Sequence, residues 1–404
     1  GAVSPLFFLV MFVVVGLTNG FAVVTGQKFG AKDFEGIRRS VVVSILLGTI
    51  FTLLFTIIAA VLMKPLLLWM NVPSEIFHNA YWYMAIVNAG LIVCCYYNLL
   101  ASIIRALGDS KTPLYFLIFA SILNIFLALL FIIKFHMGVP GSAIAVVLSQ
   151  AVSAVMCVWY VKKKFPVLHL KKKDWIFKKE ERKQDIDFAV EHLKVGIPMG
   201  IQFSILGLGV LIIQSVCNTF GPNVIAAFTA ALRIEQIATL PMISFGIALA
   251  AYVAQNYGAK KFSRIRAGVS KTSLINIGLS LFMAFIMHMW GSDIVRIFIG
   301  DANEEIIKIA RSYLLISTMF YFFLGQIFIF RNALQGMGQT LIPLSASTAE
   351  LLVRSYAAVY LAVKYSYFGI FYAGPIAWVT ASLVVAIGYF SRIRKIMKQA
   401  YKHV

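Results

Sequence analysis

The sequence predicts an all-α polytopic membrane protein made of two pseudo-symmetric six-helix lobes in parallel repeat, with eleven helices present of an expected twelve. Three observations carry that expectation: a composition too apolar for a soluble domain, apolar runs of bilayer length along the whole chain, and a sequence that repeats itself about 230 residues later. Of the 404 residues, 60% are hydrophobic and only 13% charged, with a mean hydropathy of +0.86. An aqueous fold has no way to bury that much apolar surface.

Eleven runs of about 20 residues, the length that crosses a hydrocarbon core of roughly 30 Å, follow one another near residues 5–26, 41–63, 82–104, 113–134, 138–161, 192–217, 230–256, 270–291, 313–335, 341–363 and 368–391. Lipid cannot hydrogen-bond backbone, and the runs are too long and too evenly apolar for barrel strands, so each reads as a helix. The formal net charge of +20 is sorted by side. Of the 36 Lys and Arg, 28 fall at alternate connections, including Arg105 and Arg331; six fall on the other side, and Arg233 and Arg354 lie within helices. That asymmetry is the positive-inside pattern. It places the basic loops and the C-terminus in the cytoplasm of a plasma-membrane protein and argues for anionic lipid, not nucleic acid, as the partner of the charge.

The repeat begins with "GQKFGAKDFEGIRR" at 26–39 and "AQNYGAKKFSRIR" at 254–266, which pair Gln27 with Gln255, Lys32 with Lys260 and Arg38 with Arg266. Gly108 and Pro113 of "RALGDSKTP" pair with Gly338 and Pro343 of "LQGMGQTLIP" at an offset of 230. Ordered matches at one spacing indicate two homologous halves, and an offset of six helices makes them parallel repeats, as in some transporters. The glycines of the two "GAK" loops are expected to allow the tight helix exit. The expected domains are an N-lobe at 1–161, a basic cytoplasmic linker at 162–191 resting on lipid through Trp175 and Phe177, and a C-lobe at 192–404. The C-lobe's first helix would have its partner before residue 1, hence the expected twelfth helix.

The motifs "RALGDSKTP", "GVPGSAIAVVLSQ", "RIEQIATLPMISFGIALAAYVAQNYGAKKFSRI" and the two "GAK" loops resemble the multidrug and toxic compound extrusion (MATE) family over essentially the whole chain. Leu206 stands near the position where the NorM-like branch carries an acid, which makes the chain more similar to the DinF-like branch and its clostridial relatives. The resemblance implies two lobes around a central cleft, no organic cofactor, a monomer, and export of amphipathic or cationic compounds driven by inward H+ or Na+ flow. The family's Asn-x-x-Leu-Asp in the first lobe reads Asn124-Ile-Phe-Leu127-Ala128 here, so the acid is replaced.

Ion-coupling candidates are the ionisable groups placed inside helices, where a charge costs about 2.5–3.5 kcal/mol. Glu350 and Arg354 lie about 13–20 Å into their helix and share a face at i and i+4, which fits either a structural ion pair or ion coupling. Glu235 lies six residues before Pro241, whose kink frees backbone carbonyls; it reads as a cation site or as an interfacial residue. Asn124, Gln202, Gln326 and Tyr321, with Ser204 and Gln214, are candidates to line a substrate cleft or to join helices. No metal site is expected, and Cys94, Cys95, Cys157 and Cys217 read as buried hydrophobes. The chain holds no GxxxxGK[ST] loop and no HExxH, which argues against an ATPase or a membrane enzyme. The alternatives are a lipid-linked oligosaccharide flippase of the same superfamily, which would want a basic cavity, and an inactive truncated transporter.

Overall fold

A computed structural model describes residues 4–69, 74–175, 182–300 and 303–401. These residues form thirteen α-helices: α1 (Ser4–Gly30), α2 (Phe34–Trp69), α3 (Ser74–Ala89), α4 (Leu91–Ala106), α5 (Lys111–Leu129, closed by a π-helical turn Leu130–Lys134), α6 (Gly138–Lys164), α7 (Arg182–Cys217), α8 (Pro222–Gly258), α9 (Phe262–Ile299), α10 (Glu304–Met319), α11 (Tyr321–Gly336), α12 (Leu341–Tyr365) and α13 (Tyr367–Tyr401). The described residues contain no strand. Eight helices are long and apolar enough to cross a bilayer, or ten spans if the bent pairs α3–α4 and α10–α11 each count as one. The remaining expected span, at 341–363, is the 25-residue helix α12, which falls outside that set; Glu350 and Arg354 interrupt its apolar run. Outward faces such as Leu114, Ile118, Ile122, Ile125 and Ile133 on α5 and its π turn are exposed, a surface that only hydrocarbon would cover.

Contacts divide the chain into Gly1–Ser204 and Ile205–Val404, so that the division falls inside α7. Within the first unit α1 packs on α2 and α4, α2 on α3 and α4, and α6 on α3, α4 and α5. Within the second, α8 packs on α9 and α11, α9 on α10 and α11, and α13 on α10, α11 and α12. The same order of packing recurs with α1 answered by α8 and α6 by α13, as the sequence repeat requires. The break between α3 and α4 bends the chain by 45°, and that between α10 and α11 by 53°; the residues at the breaks, Gly90 and Phe320, are 230 apart.

Backbone strain repeats as well. Lys32 and Lys260 have φ of 59° and 56°, His136 and Ser366 of 53° and 58°, and Gly108 and Gly338 of 101° and 75°. In the two "GAK" loops the glycine is the last helical residue, and the lysine two positions on takes the left-handed turn. Ala31 N–H donates to Gln27 O and Lys32 N–H to Phe29 O, matched by Ala259 to Gln255 and Lys260 to Tyr257, all at 3.0 Å. Left-handed φ at a Cβ-bearing residue costs about 1–2 kcal/mol, so the paired hydrogen bonds, not glycine freedom, hold these exits.

The linker is partly tied down. Asp174 accepts from Lys171 N–H at 2.7 Å and pairs with Arg38 of α2 at 3.3 Å, and Arg39 pairs with Asp185 of α7. Trp175 is exposed, whereas Phe177 lies outside the described residues. Helices α1 and α7 meet backbone to backbone: a Cβ on Gly16 would stand 2.5 Å from Met199 O, and one on Gly20 2.5 Å from Gly196 Cα. Gly16-x-x-x-Gly20 thus faces Gly196-x-x-x-Gly200, the close-approach motif of membrane helices.

Candidate functional site

The second unit holds a buried charge cluster. On α12, Glu350 and Arg354 lie one turn apart, and Arg354 Nη2 donates to Glu350 Oε1 at 2.5 Å. From α11, Arg331 Nη2 donates to Glu350 Oε2 at 3.2 Å. The three side chains are 6%, 7% and 12% exposed for Arg331, Glu350 and Arg354, so one carboxylate lies between two guanidiniums out of water. Both of its oxygens carry a charge-assisted bond, the strong kind. The sequence count that put Arg331 in a basic loop is corrected here: the residue lies inside α11, five positions before its end, and is buried. Its position four residues inside the predicted span was the available signal, because an arginine there needs a partner.

Glu235 has a different setting. It is half-buried on α8, and its Oε2 accepts from the Tyr313 hydroxyl of α10 at 2.9 Å. Tyr313 is itself held edge-on against Phe228 and Phe371, with ring centroids 5.2 Å and 5.4 Å away. Arg233, two residues earlier, is exposed, in keeping with the different faces of residues two apart. Thr239 Oγ1, two residues ahead of Pro241 in the same helix, donates to Glu235 O at 2.9 Å. The positive charge of Arg354 also acts on Glu235.

Of the polar candidates, Gln326 is 6% exposed and accepts from Ser273 Oγ on α9 at 2.6 Å, while its Nε2 has no partner. Tyr321 is fully buried, its ring 6.3 Å from that of Trp378 and its hydroxyl unpartnered. Beside them Asn276 is fully buried with neither amide atom bonded, a polar residue that sequence reading passed over. Asn124, half-buried on α5, leaves its Nδ2 unpartnered, and Gln202 is 1% exposed on α7; both belong to the first unit. The structure thus brings Glu350 and Arg354 together with Arg331. It sets Glu235, Gln326 and Tyr321 in the same unit and leaves Asn124 and Gln202 in the other.

The first unit has its own polar chain, also unread from the sequence. Thr25 Oγ1 lies 2.8 Å from Ser40 Oγ, Ser40 Oγ lies 2.8 Å from His192 Nε2, and His192 Nδ1 lies 2.8 Å from Phe188 O. The carbonyl can only accept, so Nδ1 carries a proton. Among the described residues no group of three or more His, Cys, Asp or Glu is placed to hold a metal.

Long apolar helices packed in the same order in each of two units, with a charge cluster buried within one of them, are the architecture of a polytopic membrane protein. The family model described as MatE matches residues 1–130 and 198–361, well over half of the chain. The chain belongs to the MatE family of multidrug efflux transporters. It is 29% identical over 342 residues to the probable multidrug resistance protein YpnP of Bacillus subtilis (strain 168), covering 84% of this chain and 74% of that one. It is 24% identical over 378 residues to the probable multidrug resistance protein NorM of Thermotoga maritima, covering 92% and 78%. Among solved structures, a MATE crystal structure in the bent conformation shares the fold with a TM-score of 0.90 at 22% identity, over 99% of this chain and 88% of that one. An outward-facing MATE transporter of the MOP superfamily has a TM-score of 0.87 at 23% identity, over 98% and 88%.

Proposed function

We propose that the chain is a secondary active exporter of amphipathic or cationic small molecules, driven by inward H+ or Na+ and working by alternating access across the plasma membrane, with its basic loops cytoplasmic. The observation that carries this reading is the contrast between two acids within helices of the second unit, Glu350 and Glu235. Glu350 has two arginines at 2.5 Å and 3.2 Å and no need of an outside cation. Glu235 has a neutral hydroxyl at 2.9 Å and stands in a helix that contains Pro241; it is the acid able to take and release a proton or Na+. Arg331 and Arg354 are both engaged by Glu350, which leaves neither guanidinium fork free for a pyrophosphate cargo and favours the exporter reading over the flippase.

The relatives' names as multidrug resistance proteins support the cargo class. Leu206 in place of an acid supports a position near the DinF-like branch. The cargo would meet a lobe at 1–161 and a lobe at 192–404, joined by the linker 162–191, in a protein that works as a monomer without an organic cofactor. The test is efflux of ethidium from vesicles carrying the chain, under imposed proton or sodium gradients. Export that follows one gradient in the native chain and loses that dependence in Glu235→Gln supports the proposal; flux indifferent to both gradients overturns it.

A further inference from the structure

Helix α13 has two unlike faces. Val385, Tyr389, Ile393 and Ile396 are buried in the second unit's core, while Leu383, Ile387 and Phe390 on the opposite side are 53%, 69% and 49% exposed. The exposed stripe runs on, at the same helical spacing, into Arg394, Lys395 and Lys398, which are also exposed. These six residues, with Ala386 and Ser391, line a concavity of about 660 Å³. No carboxylate is among its lining residues, and no ion pair joins these three cations to an acid among the described residues.

We infer that this face of α13 is a binding site for one anionic phospholipid, its acyl chain along Leu383, Ile387 and Phe390 and its phosphate headgroup on Arg394, Lys395 and Lys398. Length and polarity both fit that occupant. Leu383 to Lys398 spans fifteen residues, about 22 Å at 1.5 Å per residue, and one leaflet with its headgroup region is about 20–22 Å deep. Along that length the face changes from apolar to cationic once, in the order that a phospholipid changes from tail to head. Arg394 supplies a planar fork of donors suited to a phosphate, and the two lysines add point charge. A soluble anion would leave the apolar half uncovered, and a second protein helix would need acids to meet three cations. The inference is independent of the transport proposal, since it uses no residue of the Glu235 or Glu350 cluster.

The repeat supplies an internal control. The end of α6 carries Lys162, Lys163 and Lys164, equal in charge, with Lys163 Nζ already placed over the Trp159 ring at 5.1 Å. The experiment is titration of the purified chain in detergent with phosphatidylglycerol and, separately, phosphatidylcholine, counting bound lipid by native mass spectrometry. The native chain should bind phosphatidylglycerol at least tenfold more tightly than phosphatidylcholine. The triple variant Arg394→Gln, Lys395→Gln, Lys398→Gln should lose that preference, whereas Lys162→Gln, Lys163→Gln, Lys164→Gln should change it less than twofold. Ile387→Trp fills the apolar half with every charge intact and should weaken phosphatidylglycerol several-fold. Equal binding of the two lipids, equal loss in both triple variants, or unchanged binding in Ile387→Trp would overturn the site. All substituted side chains on α13 are exposed, and elution in gel filtration checks that each variant is folded.

Discussion

Replacing Glu350 by Gln removes one negative charge from between two buried guanidiniums while keeping size and one hydrogen-bonding oxygen. The native carboxylate meets Arg354 at 2.5 Å and Arg331 at 3.2 Å, with all three side chains at most 12% exposed, so neither arginine has water to turn to. Breaking a buried ion pair on one side costs about 3–5 kcal/mol, because the remaining charge is left uncompensated. For a folded unit of this size, at about 2–4 °C per kcal/mol, the thermal midpoint should fall by about 6–20 °C. The assay is unfolding in detergent followed by tryptophan fluorescence, with aggregation followed by gel filtration. Replacing all three groups by apolar residues of similar volume, Arg331→Met, Glu350→Leu and Arg354→Met, should recover most of the loss, since a compensated triad and a packed apolar one are close in stability. An unchanged midpoint in Glu350→Gln would refute the structural role. So would a folded Glu350→Gln chain that exports but has lost its gradient dependence, which would make Glu350 the ion carrier.

Further expectations can be checked in the same preparation. Glu235→Gln keeps an oxygen that can accept from Tyr313 and should stay within about 1 kcal/mol of the native chain, the scale of one hydrogen bond, while abolishing gradient-driven ethidium efflux in vesicles. Gly20→Ala places a methyl 2.5 Å from Gly196 Cα and should cost about 1–3 kcal/mol by overpacking, read as a lower thermal midpoint. Gly108→Ala forces a Cβ onto φ of 101°, and a loss of about 1–2 kcal/mol is expected from left-handed strain. At Asp109, between α4 and α5, burial pushes the carboxyl up but hydrogen bonds from Tyr160, Thr112 and Lys111 outweigh it, so the group is held below its ordinary value. A depressed carboxylate stabilises above its unfolded value, about 3.9, and that contribution is lost as pH falls through the lower folded value. The stability difference between the native chain and Asp109→Asn should therefore be present at neutral pH and shrink below about pH 4, as measured by midpoints across a pH series.

Much of the architecture was legible in the order of residues, because the bilayer is a stringent solvent. Apolar runs of bilayer length had to become helices, and the offset that pairs Lys32 with Lys260 and Gly108 with Gly338 had to return as matched turns, down to φ values of the same sign. Even the breaks at Gly90 and Phe320 follow that offset, though only one of the two residues is a glycine. Glu350 with Arg354 was readable too, since i and i+4 on a helix are neighbours by local geometry alone.

The remainder depended on helices distant in sequence. Nothing in the string says that Arg331 of α11 reaches Glu350 of α12, that Tyr313 of α10 turns its hydroxyl to Glu235, or that His192 of α7 closes a hydrogen-bonded chain with Ser40 and Thr25. The left-handed residue of each "GAK" loop was likewise decided by which backbone donors find carbonyls at the helix end, so the lysine took the position expected of the glycine. By itself the sequence determined a membrane-spanning, internally repeated chain and its charged candidates, since hydrophobicity and spacing act locally. Only the tertiary structure decided which of the two acids is ion-paired and which is hydrogen-bonded to a neutral hydroxyl, since electrostatic compensation depends on atoms a few ångströms apart and many residues away.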